Sequence, residues 1–346
     1  MKLYVKGGFI DLHVHLRDPG FEYKEDIESG CRAARKGGFT KICCMPNTNP
    51  VIDCKEVVEY IRNKASKVKG VEVFVIGAVT KGQAGKELAD IEGMAKAGIC
   101  AISEDGKSVM NSGLLREAMI IAKRLGLPYF SHAEDENLAG LPIGEELIVA
   151  RDILLAEETG CRLHLCHIST KGSIDIIRRA KAEGIPITAE TAPHYFTLTS
   201  DSVGQNTNRK MNPPLRTEKD VNAVRQALAD GTIDVIATDH APHARHEKEV
   251  EFSKAPNGVT GLETSFAVSY TNLVKTGILT PEELIDKMSV KPAEILGIKS
   301  ASDILMIDTD EEYIIQSGDF CSKSINSPFI GMSVCGRPVF SDGIKE

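Results

Sequence analysis

The chain has 346 residues, with 41 Lys plus Arg against 49 Asp plus Glu for a formal net charge of −8, and that balance, without a basic block, excludes nucleic acid and anionic membrane as main partners. Its 42% apolar and 26% charged residues are ordinary globular values, and a chain this long buries a full core without metal or disulfide staples. No apolar run approaches the roughly 20 residues of a membrane helix, MKLYVKGG lacks the apolar stretch of a signal peptide, and nine cysteines without a CxxC read as reduced thiols of a cytoplasmic protein.

Eight short runs rich in apolar and β-branched residues predict strands: FIDLHVH (9–15), TKICCMP (40–46), VEVFVIGA (71–78), GICAIS (98–103), PYFSH (128–132), CRLHLCH (161–167), IPITAE (185–190) and IDVIATD (233–239). Helical spacing fills the intervals at Ile27–Lys36, Cys54–Val68, Lys86–Ala97, Leu114–Leu125, Glu145–Glu158, Gly172–Glu183 and Glu218–Ala229. Glycines follow these helical runs, where a left-handed C-terminal residue is expected. The alternation predicts a parallel sheet covered by helices. Eight such units close most economically into a (β/α)8 barrel of the TIM type over residues 9–299. An open doubly wound sheet is the alternative, but no GxGxxG or GxxxxGK[ST] follows a strand. Beyond Asp239 the texture changes: residues 240–261 form a polar, irregular loop of the kind that carries function. Helical patterns return at Leu262–Thr276 and Pro281–Met288, and residues 301–346 read as short strands and turns. Residues 1–8 and 300–346 are therefore assigned to a small β-domain.

The chemistry sits at the C-terminal strand ends, the edge on which barrel active sites form. The first strand ends in His13-Val14-His15, and residues i and i+2 share a strand face. His132 ends the fifth strand, His167 the sixth and Asp239 the eighth, while Asp105 lies just past the fourth. Imidazole plus carboxylate suits zinc or another first-row metal. Six candidates exceed the ligands of one zinc, so two metals sharing a bridging carboxylate fit better. Arg17 is placed to clamp a carboxylate. Asn47 in MPNTNP, Asn212 in MNPPLR and His243 in DHAPH share the rim, and the loop APNGVTG (255–261) offers N–H groups to an anion. Asn47 and Asn212 also read as ordinary turn formers beside proline. His164 is assigned to the helix-facing side of its strand, out of phase with Cys166, which reads as a core thiol. His240 and His246 fall in the polar loop, His194 stands behind the rim, and His246–Glu251 reads as a solvated lid.

The strings FIDLHVHLRDPG, MPNTNP, SEDG, SHAED, LCHIST, MNPPLR and ATDHAPH, in this order, resemble the class I bacterial-type dihydroorotases of the amidohydrolase superfamily, from about residue 7 to residue 331. The resemblance implies a distorted barrel with a binuclear zinc centre. It also implies interconversion of N-carbamoyl-L-aspartate and (S)-dihydroorotate in de novo pyrimidine synthesis. By position it implies His13, His15 and Asp239 on the first zinc, His132 and His167 on the second, and Asp105 as the bridge. It implies Arg17, Asn47, Asn212 and His243 as substrate ligands, with Asn257 and Gly258 contributing from the loop, and Asp239 as the acid/base. Many amidohydrolases bridge their metals with a lysine, and GICAISEDG has none before Lys107. The aspartate-bridged variant fits instead, with Glu104 leaving a one-residue ambiguity beside Asp105. The chain ends look short for the family, so the β-domain is expected to be abbreviated. Two alternatives stand beside this reading. One is another cyclic amidohydrolase, such as an allantoinase or dihydropyrimidinase. The other is an inactive dihydroorotase-like subunit of an aspartate transcarbamoylase complex, a type that loses its ligands. The resemblance leaves room for a homodimer and for that complex.

Overall fold

The computed structural model describes residues 2–299 and 303–340. Eight parallel strands follow the chain in order around a nearly closed barrel: β2 (Phe9–Val14), β3 (Phe39–Cys44), β4 (Glu72–Ala78), β5 (Ile99–Ser103), β6 (Tyr129–Ser131), β7 (Leu163–Leu165), β8 (Ile187–Thr191) and β9 (Val235–Ile236). Each matches one of the eight predicted runs. The seam between β9 and β2 closes by a parallel bridge of Val14 with His240, and His15 N donates to His240 O at 2.8 Å.

Strand alternation sorts the apolar side chains into two layers. Ile10, Leu12, Cys43, Ile76, Phe130, Cys166 and Val235 fill the barrel interior. Val75, Tyr129, Leu163, Leu165, Ala189 and Ile236 face the helices and join the larger core. Each fully buried aliphatic or aromatic side chain contributes roughly 1.5–3 kcal/mol of transfer free energy. The helices start and stop where the sequence punctuates them. Asp26 caps Ile27–Lys36 by accepting from Ser29 N at 2.7 Å. Gly126 and Gly160 end Ser112–Leu125 and Pro142–Thr159 in the left-handed region, at φ 72° and 66°. One helix is shorter than expected: in place of Lys86–Ala97 it spans Ile91–Ala97. Asp90 accepts from Gly93 N at 2.9 Å and starts the helix there, while residues just before it fold back as a turn bridging Thr80 and Leu88.

The chain ends build a separate antiparallel sheet, in the order β1 (Lys2–Lys6), β10 (Ile304–Ile314), β11 (Ser333–Phe340). It shares the barrel's core: Leu305 and Ile307 belong to the helix-facing cluster, and the rings of Phe9 and Phe266 stack at 5.1 Å beneath it. Between β10 and β11 the chain returns to the barrel rim. Among the described residues, no helix is long and apolar enough to cross a membrane.

Candidate active site

The six metal-ligand candidates meet at one point on the C-terminal rim. Asp105 is central: its carboxylate oxygens lie 3.2 Å from His13 Nε2, 3.4 Å from His15 Nε2, 3.5 Å from His132 Nδ1 and 3.6 Å from His167 Nε2. Asp239 Oδ1 stands 3.2 Å from His15 Nε2 and 3.6 Å from His13 Nε2. Glu104 turns the other way and accepts from the backbone N–H groups of Val79 and Thr80 at 3.1 and 3.0 Å, so of the two neighbours Asp105 alone faces the cluster. Burial alone would raise the Asp105 carboxyl. The imidazoles of His13, His132 and His167 instead bring it well below the usual carboxylate range. Asp239, equally buried, is lowered by His15 and His13.

The donor set fits a metal. His13 Nε2 is buried without a hydrogen-bond partner, and His132 Nδ1 faces His167 Nε2 at 2.9 Å, two ring nitrogens converging on one spot. His13, Asp105 and His167, and separately His13, His15 and Asp239, bring their donor atoms within 4.8 Å of one another.

The imidazoles are braced from behind. His13 Nδ1 pairs with Glu190 Oε1 at 2.8 Å, and His15 Nδ1 with Asn47 Oδ1 at 2.8 Å. Such partners fix which ring nitrogen faces a metal. His132 Nε2 lies 3.6 Å from Glu134 Oε2, which accepts from Asn212 Nδ2 at 2.8 Å. Asp11, buried in β2, accepts from His13 N and Thr238 N at 3.1 Å each and from Thr238 Oγ1 at 2.6 Å, tying the first and last barrel strands.

Backbone strain concentrates here. Among the described residues, the non-glycine residues at positive φ are Arg17 (61°), Gln83 (51°), His167 (39°) and Asp239 (47°). Three carry candidate side chains, and Gln83 Nε2 donates to Asp105 O at 3.0 Å. Each such residue costs on the order of 1–3 kcal/mol, a cost that clusters at functional sites.

A cavity of about 190 Å³ is lined by every candidate except His13, which lies beneath it. Half-buried Arg17 donates from Nε to Pro242 O at 3.1 Å and has no carboxylate partner among the described residues. His243 Nε2 lies 2.7 Å from Asn257 O, and Lys24 Nζ 3.4 Å from His243 Nδ1. Burial, with Arg17 and Lys24 nearby, brings the His243 ring down to about 3. Gly258 has φ 130°, and a Cβ there would stand 2.8 Å from Ala241 O and 3.0 Å from His243 Nε2, so that loop position admits only glycine. A larger cavity, about 320 Å³, opens at the opposite barrel end beside Arg162, His164 and Lys291 and holds none of the candidates.

Several expectations need correction. His164 faces inward: it is two residues from Cys166, hence in phase with it, and its Nε2 lies 3.1 Å from Glu190 Oε2. His240 is fully buried, 3.3 Å from Glu25 Oε2, with Nδ1 accepting from Gly261 N at 3.2 Å. The segment His246–Glu251 is no simple solvated lid, since Lys248 within it is buried. His194 is buried, and burial brings its ring down to about 4. Sequence reading missed Glu190, Asp11 and Asn326. The first two carried a signal, a carboxylate inside a short strand with no other Asp, Glu, Lys or Arg. Asn326 carried none: its Oδ1 accepts from His243 N at 3.2 Å, and its Nδ2 donates to Gly258 O at 3.0 Å.

A parallel barrel with paired histidines, an aspartate, two further histidines and a last aspartate at its strand ends defines a metal-dependent amidohydrolase. The dihydro-orotase-like family model matches residues 2–141. The dihydroorotase of Ruminiclostridium cellulolyticum is 48% identical over 98% of this chain and 85% of its own, and that of Pelotomaculum thermopropionicum 50% identical over 96% and 83%. The chain belongs to the dihydroorotase family. Among solved structures, the L-hydantoinase (dihydropyrimidinase) of Arthrobacter aurescens superposes with a TM-score of 0.88 at 27% identity, over 98% of this chain and 83% of that one. The D-hydantoinase (dihydropyrimidinase) from Thermus sp. gives 0.85 at 25% identity over 98% and 83%.

Proposed function

We propose that this chain is a dihydroorotase, interconverting (S)-dihydroorotate and N-carbamoyl-L-aspartate in pyrimidine synthesis with two zinc ions per chain. The observation that carries the reading is one cavity in which the imidazoles of His15, His132 and His167 and the carboxylates of Asp105 and Asp239, with His13 beneath them, face Arg17, Asn47, Asn212 and His243. His13, His15 and Asp239 would hold one zinc, His132 and His167 the other, with Asp105 shared between them. Bound there, zinc lowers the pKa of water to about 7 and polarises a carbonyl.

The chain's own residues supply position and proton transfer. Arg17, Asn47, Asn212 and His243, with the loop residues Asn257 and Gly258, hold the carboxylate that does not react, and so aim the ring amide at the metal-facing floor. Asp239 takes the proton from the attacking water and passes it to the departing ring nitrogen. Ring closure runs the same steps backwards, with the side-chain carboxyl of N-carbamoyl-L-aspartate on the floor. The reading includes a cytoplasmic setting, supported by nine unpaired cysteines. It also includes assembly as a homodimer or with aspartate transcarbamoylase, which sedimentation of the chain alone and mixed with that enzyme distinguishes.

The test is hydrolysis of dihydroorotate, allantoin and hydantoin side by side, with zinc measured on the same sample. Dihydroorotate is expected to dominate, at about two zinc per chain. Preference for hydantoin would overturn the substrate, and a metal-free, inactive chain would favour the scaffold subunit.

A further inference from the structure

Lys248 ends the short helix Arg245–Lys248 and is buried at 5% exposure. Lysines are rarely buried unless paired, yet this one makes no ion pair with a carboxylate among the described residues. Its Nζ donates to three backbone carbonyls: Lys210 O at 3.4 Å, Pro256 O at 2.9 Å and Gly258 O at 3.0 Å. Three donors meet three acceptors, which saturates the ammonium. Burial brings it down to about 8; the charge of Lys210 adds to this and that of Glu247 opposes it.

The three carbonyls come from two separate segments. Lys210 lies two residues before Asn212, and Pro256 and Gly258 flank Asn257. The segments also meet directly, Gly258 N donating to Lys210 O at 2.9 Å. Asn257 O in turn stands 2.7 Å from His243 Nε2. Lys248 is therefore the point at which Asn212, His243, Asn257 and Gly258 are brought into register.

We propose that Lys248 is a positioning residue for substrate: its ammonium stitches the Asn212 segment to the Asn257–Gly258 loop and so shapes the wall that receives the non-reacting half of dihydroorotate. The inference rests on the dihydroorotase reading. That wall holds a group whose charge is the same in the ground and transition states. Its loss therefore weakens binding mainly in the same measure for both states, and raises KM more than it slows the chemical step. A merely structural lysine would lower thermal stability and leave KM alone.

The test compares wild type with Lys248→Met and Lys248→Gln, following kcat, KM and metal content. Lys248→Met is expected to raise KM for dihydroorotate about tenfold or more, with kcat within about threefold and metal content at the wild-type level. Lys248→Gln keeps two N–H donors and falls between. If Lys248→Met yields no folded protein, Lys248→Gln decides alone: a raised KM with kcat held supports the role. Wild-type KM in the folded variants overturns it, and so does loss of kcat or metal with KM unchanged. A wild-type chain that hydrolyses hydantoin rather than dihydroorotate overturns the substrate assignment separately, and the same split is then read on hydantoin. A wild-type chain inactive on both overturns both.

Discussion

Asp239 combines three properties that rarely coincide in one residue. It has a left-handed backbone, a carboxyl held below its usual range, and an oxygen within 3.6 Å of two imidazoles. Replacing it with Asn keeps the shape and one oxygen donor but removes the proton acceptor. Asp239→Asn is expected to cut turnover by about 10²–10⁴-fold while retaining part of the metal, checked by assaying dihydroorotate hydrolysis and metal on one sample. Turnover near wild type would end the assignment. Glu190 acts one step further back. Its two oxygens divide between His13 Nδ1 and His164 Nε2, so it fixes the tautomer with which His13 presents Nε2. Glu190→Gln is expected to weaken zinc binding by about 10–100-fold, read by competition with a chromophoric chelator. Unchanged affinity would reduce Glu190 to a packing role.

Among the elements, the barrel seam matters most. β9 is only two residues long, and Asp11 supplies what a longer ladder would, by accepting from Thr238 and His13. Asp11→Ala leaves those buried donors unmatched, at a cost of about 1–3 kcal/mol for each. Denaturant unfolding should show the loss, together with weaker metal retention, because the seam holds both His13 and Asp239. The strands, and the rim positions where the candidate side chains meet, were legible because their signals are local: a run of β-branched residues, a glycine stop, a polar residue at a strand's end. The phase of His164 was equally legible, since it is set by its spacing from Cys166. What could not be read is what depends on distant pairing. Nothing near Lys248 announces that its partners are the carbonyls of residues 210, 256 and 258. Nothing near Glu25 announces His240 and Ser322. The start of the helix at Ile91 likewise turned on the choice of Asp90 as cap over a continuous apolar pattern.

For the molecule as a whole, the question is whether the terminal sheet is an appendage or part of the same cooperative unit. Leu305 and Ile307 pack with Phe9, Phe39 and Phe266 in one cluster, which argues for a single unit. Leu305→Ala is expected to cost about 2–5 kcal/mol and to lower the midpoint of one shared thermal transition. Two separate transitions in calorimetry would show that the sheet melts on its own.

The return of the chain between β10 and β11 to the rim puts a clock on the enzyme's own assembly. Asn326 fastens His243 and Gly258, and Ser322 fastens Glu25, yet both are made long after the metal ligands. At about 5–20 residues per second of synthesis, the stretch from Asp239 to Asn326 takes roughly 4–17 s. A nascent chain in that interval already contains every candidate metal ligand and lacks the residues that fasten His243 and Gly258. The wall that receives substrate is therefore the last part of the candidate site to be completed, and a chain cut short before Ser322 would lack its fastenings altogether.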